Sequence, residues 1–218
     1  MQDTKINTSS ETQFPELCKD MKQADFVLVY KRAIIKVMQI IEREAEVLEE
    51  INHREILSRL TGRIKTPESV ERKLLKKGCT VDIKTAVRKI HDIAGVRATC
   101  YFIDDVYELS RCLKSNNQLH CIKEKNYILK PKSSGYKSLH LIVEVPILFY
   151  ETEQWVCVEV QLRTLAMDFW ARLDHRLCYK KEIQSTKMEQ KNLEEYADII
   201  SRVDEQMLSL RKRIDALG

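Results

Sequence analysis

No two of the seven cysteines stand at C-x-x-C spacing. An odd, scattered set excludes a disulfide framework and a structural zinc site. It fits a reducing compartment, where cysteine behaves as a small buried hydrophobe. The N-terminal stretch MQDTKINTSSETQFPE lacks an apolar centre, so no secretory signal is expected. No run reaches the roughly 20 apolar residues that a membrane span needs. The most apolar one, LHLIVEVPILFY, is broken by Glu144 and Pro146. A net charge of +4 is too small to imply duplex nucleic acid by itself. There is no internal repeat. These absences leave a soluble, cytoplasmic chain with no membrane partner.

Hydrophobic residues make up 44% of the 218, enough for a real core, while 32% are charged, which is high for a compact globule. That balance points to one domain with long helices whose faces are solvated or used in assembly. Residues 1 to 22 are polar and unpatterned, and a disordered tail is expected there. From Phe26 to Leu60 there is neither glycine nor proline, and Ile34, Met38, Ile41, Ala45, Leu48 and Ile51 form one stripe. This predicts a single long helix. Thr66 as cap, Pro67 at the first position, Glu68 in the first turn and Gly78 past the end predict a second. A short third helix is expected around Ile83 to Ile90.

Strands are read in VRATCYF, LHCIKEK, LHLIVEV and WVCVEVQLR, and a helix in DDVYELSRCLKS, started by Asp104 or Asp105. A helix from Thr164 to about Lys181 follows. The last runs from about Lys187 to Ala216, with the stripe Leu193, Ala197, Ile200, Val203, Met207, Leu210 and Ile214. The expected fold class is α+β: a mixed sheet of about five strands wrapped by helices, with a long helix at each end. Residues 23 to 182 form the expected domain and 183 to 218 a helical extension.

Four segments carry the chemistry. In CVEVQLRTLAMDFWARLDH, Glu159, Gln161 and Arg163 alternate with Val158, Val160 and Leu162, so one strand face is polar and the other apolar. Taken alone, such a face reads first as a solvated edge strand and only second as a site. In TGRIKTPESVERKLLKKG, Arg63, Lys65, Ser69 and Lys73 surround the start of a helix. A guanidinium fork, ammonium groups and free N–H donors together could hold a nucleoside polyphosphate, though an ordinary basic helix looks the same. In HDIAGVRA, Asp92 precedes a strand that carries Arg97, and Asp92 with Glu159 could hold Mg2+ between carboxylates and phosphate oxygens. A His-Asp phosphohydrolase would need further metal ligands on helices, and the sequence offers none. In NYILKPKSSGYKSLHLIVEV, Tyr136 could stack on a base, with Lys132 and His140 on phosphates.

TGRIK, HDIAGVR, SGYKSLH and EVQLRTLAMDFWARLDH, in this order, resemble the synthetase domain of RelA/SpoT-type alarmone synthetases over about residues 45 to 182. Without room for the hydrolase and regulatory domains of the long members, the chain resembles the small RelP/RelQ kind. The resemblance implies a pyrophosphokinase that moves the β,γ-pyrophosphate of ATP to the 3′-hydroxyl of GDP or GTP. It implies Asp92 and Glu159 as catalytic and metal residues, and Arg63, Lys65, Ser69, Lys73, Arg97 and Lys125 toward ATP. Lys132, Tyr136, His140, Gln161, Arg163 and Asp168 fall toward GDP or GTP, with GMP a further candidate acceptor. Mg2+ and a homotetramer are implied as well. The chain departs from common family patterns at Lys137, Lys125 and Asp168. A second reading, a weak guanine-nucleotide or single-stranded RNA binding module on the same fold, is disfavoured by the carboxylate pair, which a pure binder does not need. A nucleotidyltransferase acting on RNA would show a D-x-D or D-x-E pair near Asp92, and there is none.

Overall fold

The computed structural model describes residues 10–179 and 187–217. In chain order the elements are α1 (Ser10–Met21), α2 (Ala24–Asn52), β1 (Leu57–Ile64), α3 (Pro67–Lys76), α4 (Ile83–Lys89), β2 (Ala94–Cys100) and α5 (Ile103–Ser115). They continue with β3 (His120–Asn126), β4 (Leu139–Phe149), β5 (Thr152–Thr164), α6 (Leu165–Tyr179) and α7 (Lys187–Asp215). The five strands form one sheet in the order β1-β2-β5-β4-β3. Only β2 and β5 run parallel; every other pair is antiparallel. This is the expected α+β class. Among the described residues no helix is long and apolar enough to cross a membrane.

Alternation decides which sheet face is the core. Val158, Val160 and Leu162 on β5 are fully buried, as are Leu141 and Val143 on β4 and Ala94 and Ala98 on β2. They pack with Ala33, Val37 and Ile41 of α2 and with Val106, Leu109 and Leu113 of α5 in one cluster. Burying each large apolar side chain contributes roughly 1.5–3 kcal/mol. A one-residue slip of β5 would turn Glu159, Gln161 and Arg163 into that core, so the register is strongly fixed. The opposite face is thereby reserved for polar groups.

The predicted long helix is cut short, and the reason is physical. His53 adopts the left-handed conformation (φ 52°) and ends α2 after Asn52, whose amide donates back to the Leu48 carbonyl. Glu49 then accepts the N–H groups of Ile56 and Leu57 and steers the chain into β1. The apolar positions of β1, Leu57, Leu60 and Ile64, recur at three and four and mimic a helix. The strand lies at the sheet edge with a register irregularity between Leu57 and Arg59, which hides its period of two. Ile51, placed in the buried stripe by its spacing, is 68% exposed.

The expectation of a disordered tail over residues 1 to 22 does not hold for Ser10–Met21, which form α1. Leu17 is fully buried and Met21 nearly so, against α3, α4 and α2; two anchors are too few to register as a periodic pattern. Residues 1–9 lie outside those described. Thr66, Pro67 and Gly78 bound α3 as predicted, with Gly78 at φ 65°. The cap of α5 is Phe102, not Asp104 or Asp105. Asp105 is the buried group that accepts the Phe102 N–H and pairs with Arg54. Along β4, β3 pairs only as far as His120 opposite Glu144. Beyond that, the Pro146 and Leu148 carbonyls accept from Lys36 Nζ (2.9 Å) and Arg32 Nη1 (3.1 Å) of α2.

α7 differs from its predicted stripe. Ala197 and Asp204 are buried, whereas Val203, Met207, Leu210 and Ile214 are exposed together with Tyr196 and Ile199. The stripe therefore divides between two faces of one helix. One tight contact tests the packing of β1 on α2: a Cβ added at Gly62 would come within 2.2 Å of Ile34 Cγ2 and 3.2 Å of Met38 Sδ. Gly62→Ala should destabilise the fold by about 1–3 kcal/mol, the usual cost of overpacking. Urea unfolding of the two proteins checks this, and an unchanged midpoint would contradict the contact.

Candidate active site

The polar face of the sheet presents side chains in rows, because residues in register on neighbouring strands point the same way. One row runs Thr61, Arg97, Gln161, His140, and the next runs Arg63, Gly95, Glu159. Gly95 carries no side chain, so space stays open beside Glu159. Two adjoining cavities occupy this face. The smaller, about 230 Å³, is lined by Lys65, Asp92, Gly95 and Glu159, and the larger, about 770 Å³, by Tyr136, Arg163, Arg172, His175 and Arg176. Arg63, Arg97 and Gln161 line both, so they form the wall between two lobes of one cleft.

At the floor of the smaller lobe, Asp92 Oδ2 pairs with Lys73 Nζ (2.7 Å) and Lys65 Nζ (3.0 Å). Burial by itself would push the Asp92 carboxyl up. The two ammonium groups outweigh it and hold the carboxyl below its ordinary range. Asp92 Oδ1 is buried with no partner among the described residues. A buried orphan carboxylate oxygen is costly unless something else satisfies it. Ser69, in the first turn of α3, accepts from the Thr66 hydroxyl at 3.1 Å.

Glu159 belongs to a closed circuit of hydrogen bonds. Arg163 Nη2 donates to the Tyr136 hydroxyl (2.6 Å) and to Gln161 Oε1 (2.8 Å). Gln161 Nε2 donates to Glu159 Oε2 (2.7 Å). Tyr136 Oη and His140 Nε2 are 2.9 Å apart, and His140 Nδ1 is 3.1 Å from Glu159 Oε1. Because Arg163 can only donate, the Tyr136 proton is free to go to His140 Nε2, which puts the imidazole hydrogen on Nδ1, facing Glu159. Each bond of the circuit then has one donor and one acceptor. Burial would raise the Glu159 carboxyl, but the His140 and Gln161 bonds and the charge of Lys73 bring it down to about 2.

The larger lobe is built on charge crowding. Asp168, 4% exposed, meets Arg97 Nη1 at 3.3 Å and Arg163 Nη1 at 3.2 Å through Oδ1, and Arg172 Nη2 at 2.6 Å through Oδ2. Burial and the guanidinium of Arg163 push the Arg97 pKa down, with Asp168 acting against them. The Nε atoms of Arg97 and Arg163 are buried donors without partners among the described residues, an arrangement suited to anions. The Tyr136 ring is half-buried, with Arg163 Cζ 5.1 Å and Lys132 Nζ 4.8 Å from its centroid. Lys132 also lies over Tyr127, at 5.0 Å.

The structure thus brings Arg63, Lys65, Lys73, Asp92, Arg97, Tyr136, His140, Glu159, Gln161, Arg163 and Asp168 to one cleft. Lys125 stands apart as an exposed residue of β3, in register opposite His140, and lines neither lobe. Sequence reasoning missed Arg172, His175 and Arg176. Their signal was the helical spacing from Asp168, which puts positions four, seven and eight residues on over the same face.

The chain matches the family described as "Region found in RelA / SpoT proteins" over residues 62–184. It is 40% identical to GTP pyrophosphokinase YwaC of Bacillus subtilis over 87% of this chain and 90% of that protein. Small alarmone synthetase 1 of Bacillus subtilis, solved bound to its product pppGpp, superposes with a TM-score of 0.79. The identity there is 30%, covering 87% of this chain and 96% of the other. Small alarmone synthetase 2 of the same organism gives 0.76 at 39% identity, covering 85% and 96%. The motifs, the sheet order and these likenesses agree: the chain belongs to the RelA/SpoT family, among its small alarmone synthetases.

Proposed function

We propose that the chain is a GTP/GDP pyrophosphokinase. In this reading the 3′-hydroxyl of GDP or GTP attacks the β-phosphorus of ATP, the bond from that phosphorus to the α,β-bridging oxygen breaks, AMP leaves, and ppGpp or pppGpp forms. The observation that carries the reading is the pair Asp92 and Glu159 on the floor of a cleft whose walls are Arg63, Lys65, Arg97 and Arg163. Two polyanions repel each other, so their reaction depends mainly on cationic neutralisation and alignment. The relatives' names, GTP pyrophosphokinase, and structures solved with pppGpp and with AMPCPP support the same substrates.

The residues present fit a divalent metal. Among the described residues no cluster of three metal-binding side chains occurs, but Asp92 Oδ1 is an unpartnered buried oxygen beside Glu159. Mg2+ favours such a site, with one or two carboxylates and the remaining positions filled by phosphate and water. Bound there by Asp92 and Glu159, it would offset the charge on the transferred phosphates. Lys65 and Lys73, now on Asp92, would then be released toward the phosphates of ATP. Glu159, held at about 2, is a carboxylate at neutral pH and receives the hydrogen bond of the attacking hydroxyl. Tyr136 stacks on the guanine, and Arg63 on the adenine side divides the two lobes.

The chain is further proposed to self-associate in the cytoplasm, as the tetramer that the resemblance implies. Tyr196, Ile199, Val203, Met207, Leu210 and Ile214 are between 41% and 59% exposed and share one face of α7. A continuous apolar face of this kind marks an interface, and a second copy of the same helix matches its spacing.

Three outcomes test these readings. Thin-layer analysis of labelled ATP with GDP or GTP and Mg2+ should show product, and Asp92→Asn and Glu159→Gln should abolish it with the fold intact. Turnover within about tenfold of wild type, only ~1.4 kcal/mol of barrier, would reject the assignment. Tyr136→Ala should weaken GDP far more than ATP, by about 1–3 kcal/mol for one lost stacking contact. Tyr136→Phe should fall between, since it keeps the ring but breaks the bonds to Arg163 and His140. A defect confined to ATP would mean that the two lobes are reversed. Light scattering should give a multimeric mass that Met207→Asp lowers to a monomer, because an unpaired charge in an apolar seam is costly. A monomeric wild type would refute the assembly.

A further inference from the structure

One face of α7 makes three contacts two helical turns apart. Ala197, 3% exposed, sits so close to Gly135 that a Cβ there would come within 2.4 Å of Ala197 Cβ, with Trp170 of α6 at 3.7 Å. Asp204, 6% exposed, accepts a 2.6 Å hydrogen bond from Thr164 Oγ1. Arg211 pairs with Asp104 and lies over the Phe102 ring at 5.0 Å. The first two contacts meet the acceptor side of the cleft from outside. Gly135, at φ 78°, immediately precedes Tyr136. Thr164 immediately follows Arg163 and accepts the Met167 N–H at 3.1 Å, which makes it the cap of α6.

The middle contact needs a reason. Burial pushes the Asp204 carboxyl above its ordinary range, opposed by the Thr164 hydroxyl and by Lys137, the residue after Tyr136. An apolar side chain would seat α7 there without burying an acid. What an apolar side chain cannot do is orient the Thr164 hydroxyl. With its hydrogen committed to Asp204, that oxygen keeps its lone pair on the Met167 N–H. The first turn of α6 is thereby fixed, including Asp168, which holds Arg163 and through it Tyr136.

We infer that Asp204 is a positioning residue of the acceptor pocket: it acts through Thr164 on α6, while Ala197 braces the Tyr136 loop at Gly135. The inference rests on the acceptor assignment above and adds to it a group that touches neither nucleotide. Small displacements of positioned groups lower rates steeply, so the effect should fall on one substrate and not the other.

The test uses the full chain with Asp204→Leu, Asp204→Asn and Gly135→Ala. Apparent KM values for GDP and ATP are measured separately, with amide hydrogen exchange over residues 131–137 and thermal melting. Asp204→Leu should raise the KM for GDP about tenfold and leave that for ATP within about twofold, with faster exchange in 131–137. Asp204→Asn, which still accepts from Thr164, should restore most of the loss. An unchanged KM for GDP, or equal rises for both nucleotides, overturns the inference. If Asp204→Leu does not fold, Gly135→Ala must show the same split, and its absence overturns the inference equally. If wild type makes no product, the proposed reaction fails on its own. Exchange over 131–137 in Asp204→Leu then decides the link: faster exchange keeps it, unchanged exchange removes it.

Discussion

The cleft depends on a conflict between like charges. Arg63, Arg97 and Arg163 face one space, and Arg172 adds a fourth guanidinium from α6. Unpaired, such a group would repel itself apart. Asp168 prevents this with two oxygens that serve three guanidiniums, and it is buried enough for the attraction to be weakly screened. The same compromise recurs at the other lobe, where Asp92 holds Lys65 and Lys73. In each lobe a carboxylate shared among several cations thus holds them together. The protein keeps its positive charge in place without a ligand and stays complementary to an anion.

How the sheet serves this charge distribution follows from its one parallel pair. β2 and β5 set Gly95 beside Glu159 and Arg97 beside Gln161. The open position at Gly95 and the cation at Arg97 are therefore two residues apart on one strand, and the two lobes meet at β5. The apolar alternation on the opposite face fixes that register, so the core and the site are specified by the same strand.

Much of this could be read from residues in order. Glu159, Gln161 and Arg163 share a face because strands alternate, and Val158, Val160 and Leu162 identify that face as the outer one. β1 was hidden because Leu57, Leu60 and Ile64 imitate helical spacing at an edge. α1 was hidden because it is anchored by only Leu17 and Met21. Of the partners of Asp168, Arg172 was within reach of helical spacing, four residues on along α6, but Arg97 was not legible, since it meets Asp168 from β2 and sequence spacing carries no information on that meeting. The circuit through Tyr136, His140 and Glu159 was hidden for the same reason, although each member was picked out singly. On α7, threes-and-fours spacing found the apolar residues but could not tell the seam that faces the domain from the seam that faces away.

The free end of β4 bears on how the chain meets its neighbours. A strand that outruns its partner offers bare carbonyls and N–H groups to any other extended chain. Here Pro146 has no N–H to offer, and its carbonyl and that of Leu148 are already taken by Lys36 and Arg32. Growth of the sheet by an added strand is blocked at that edge, and so is the runaway stacking that such growth permits.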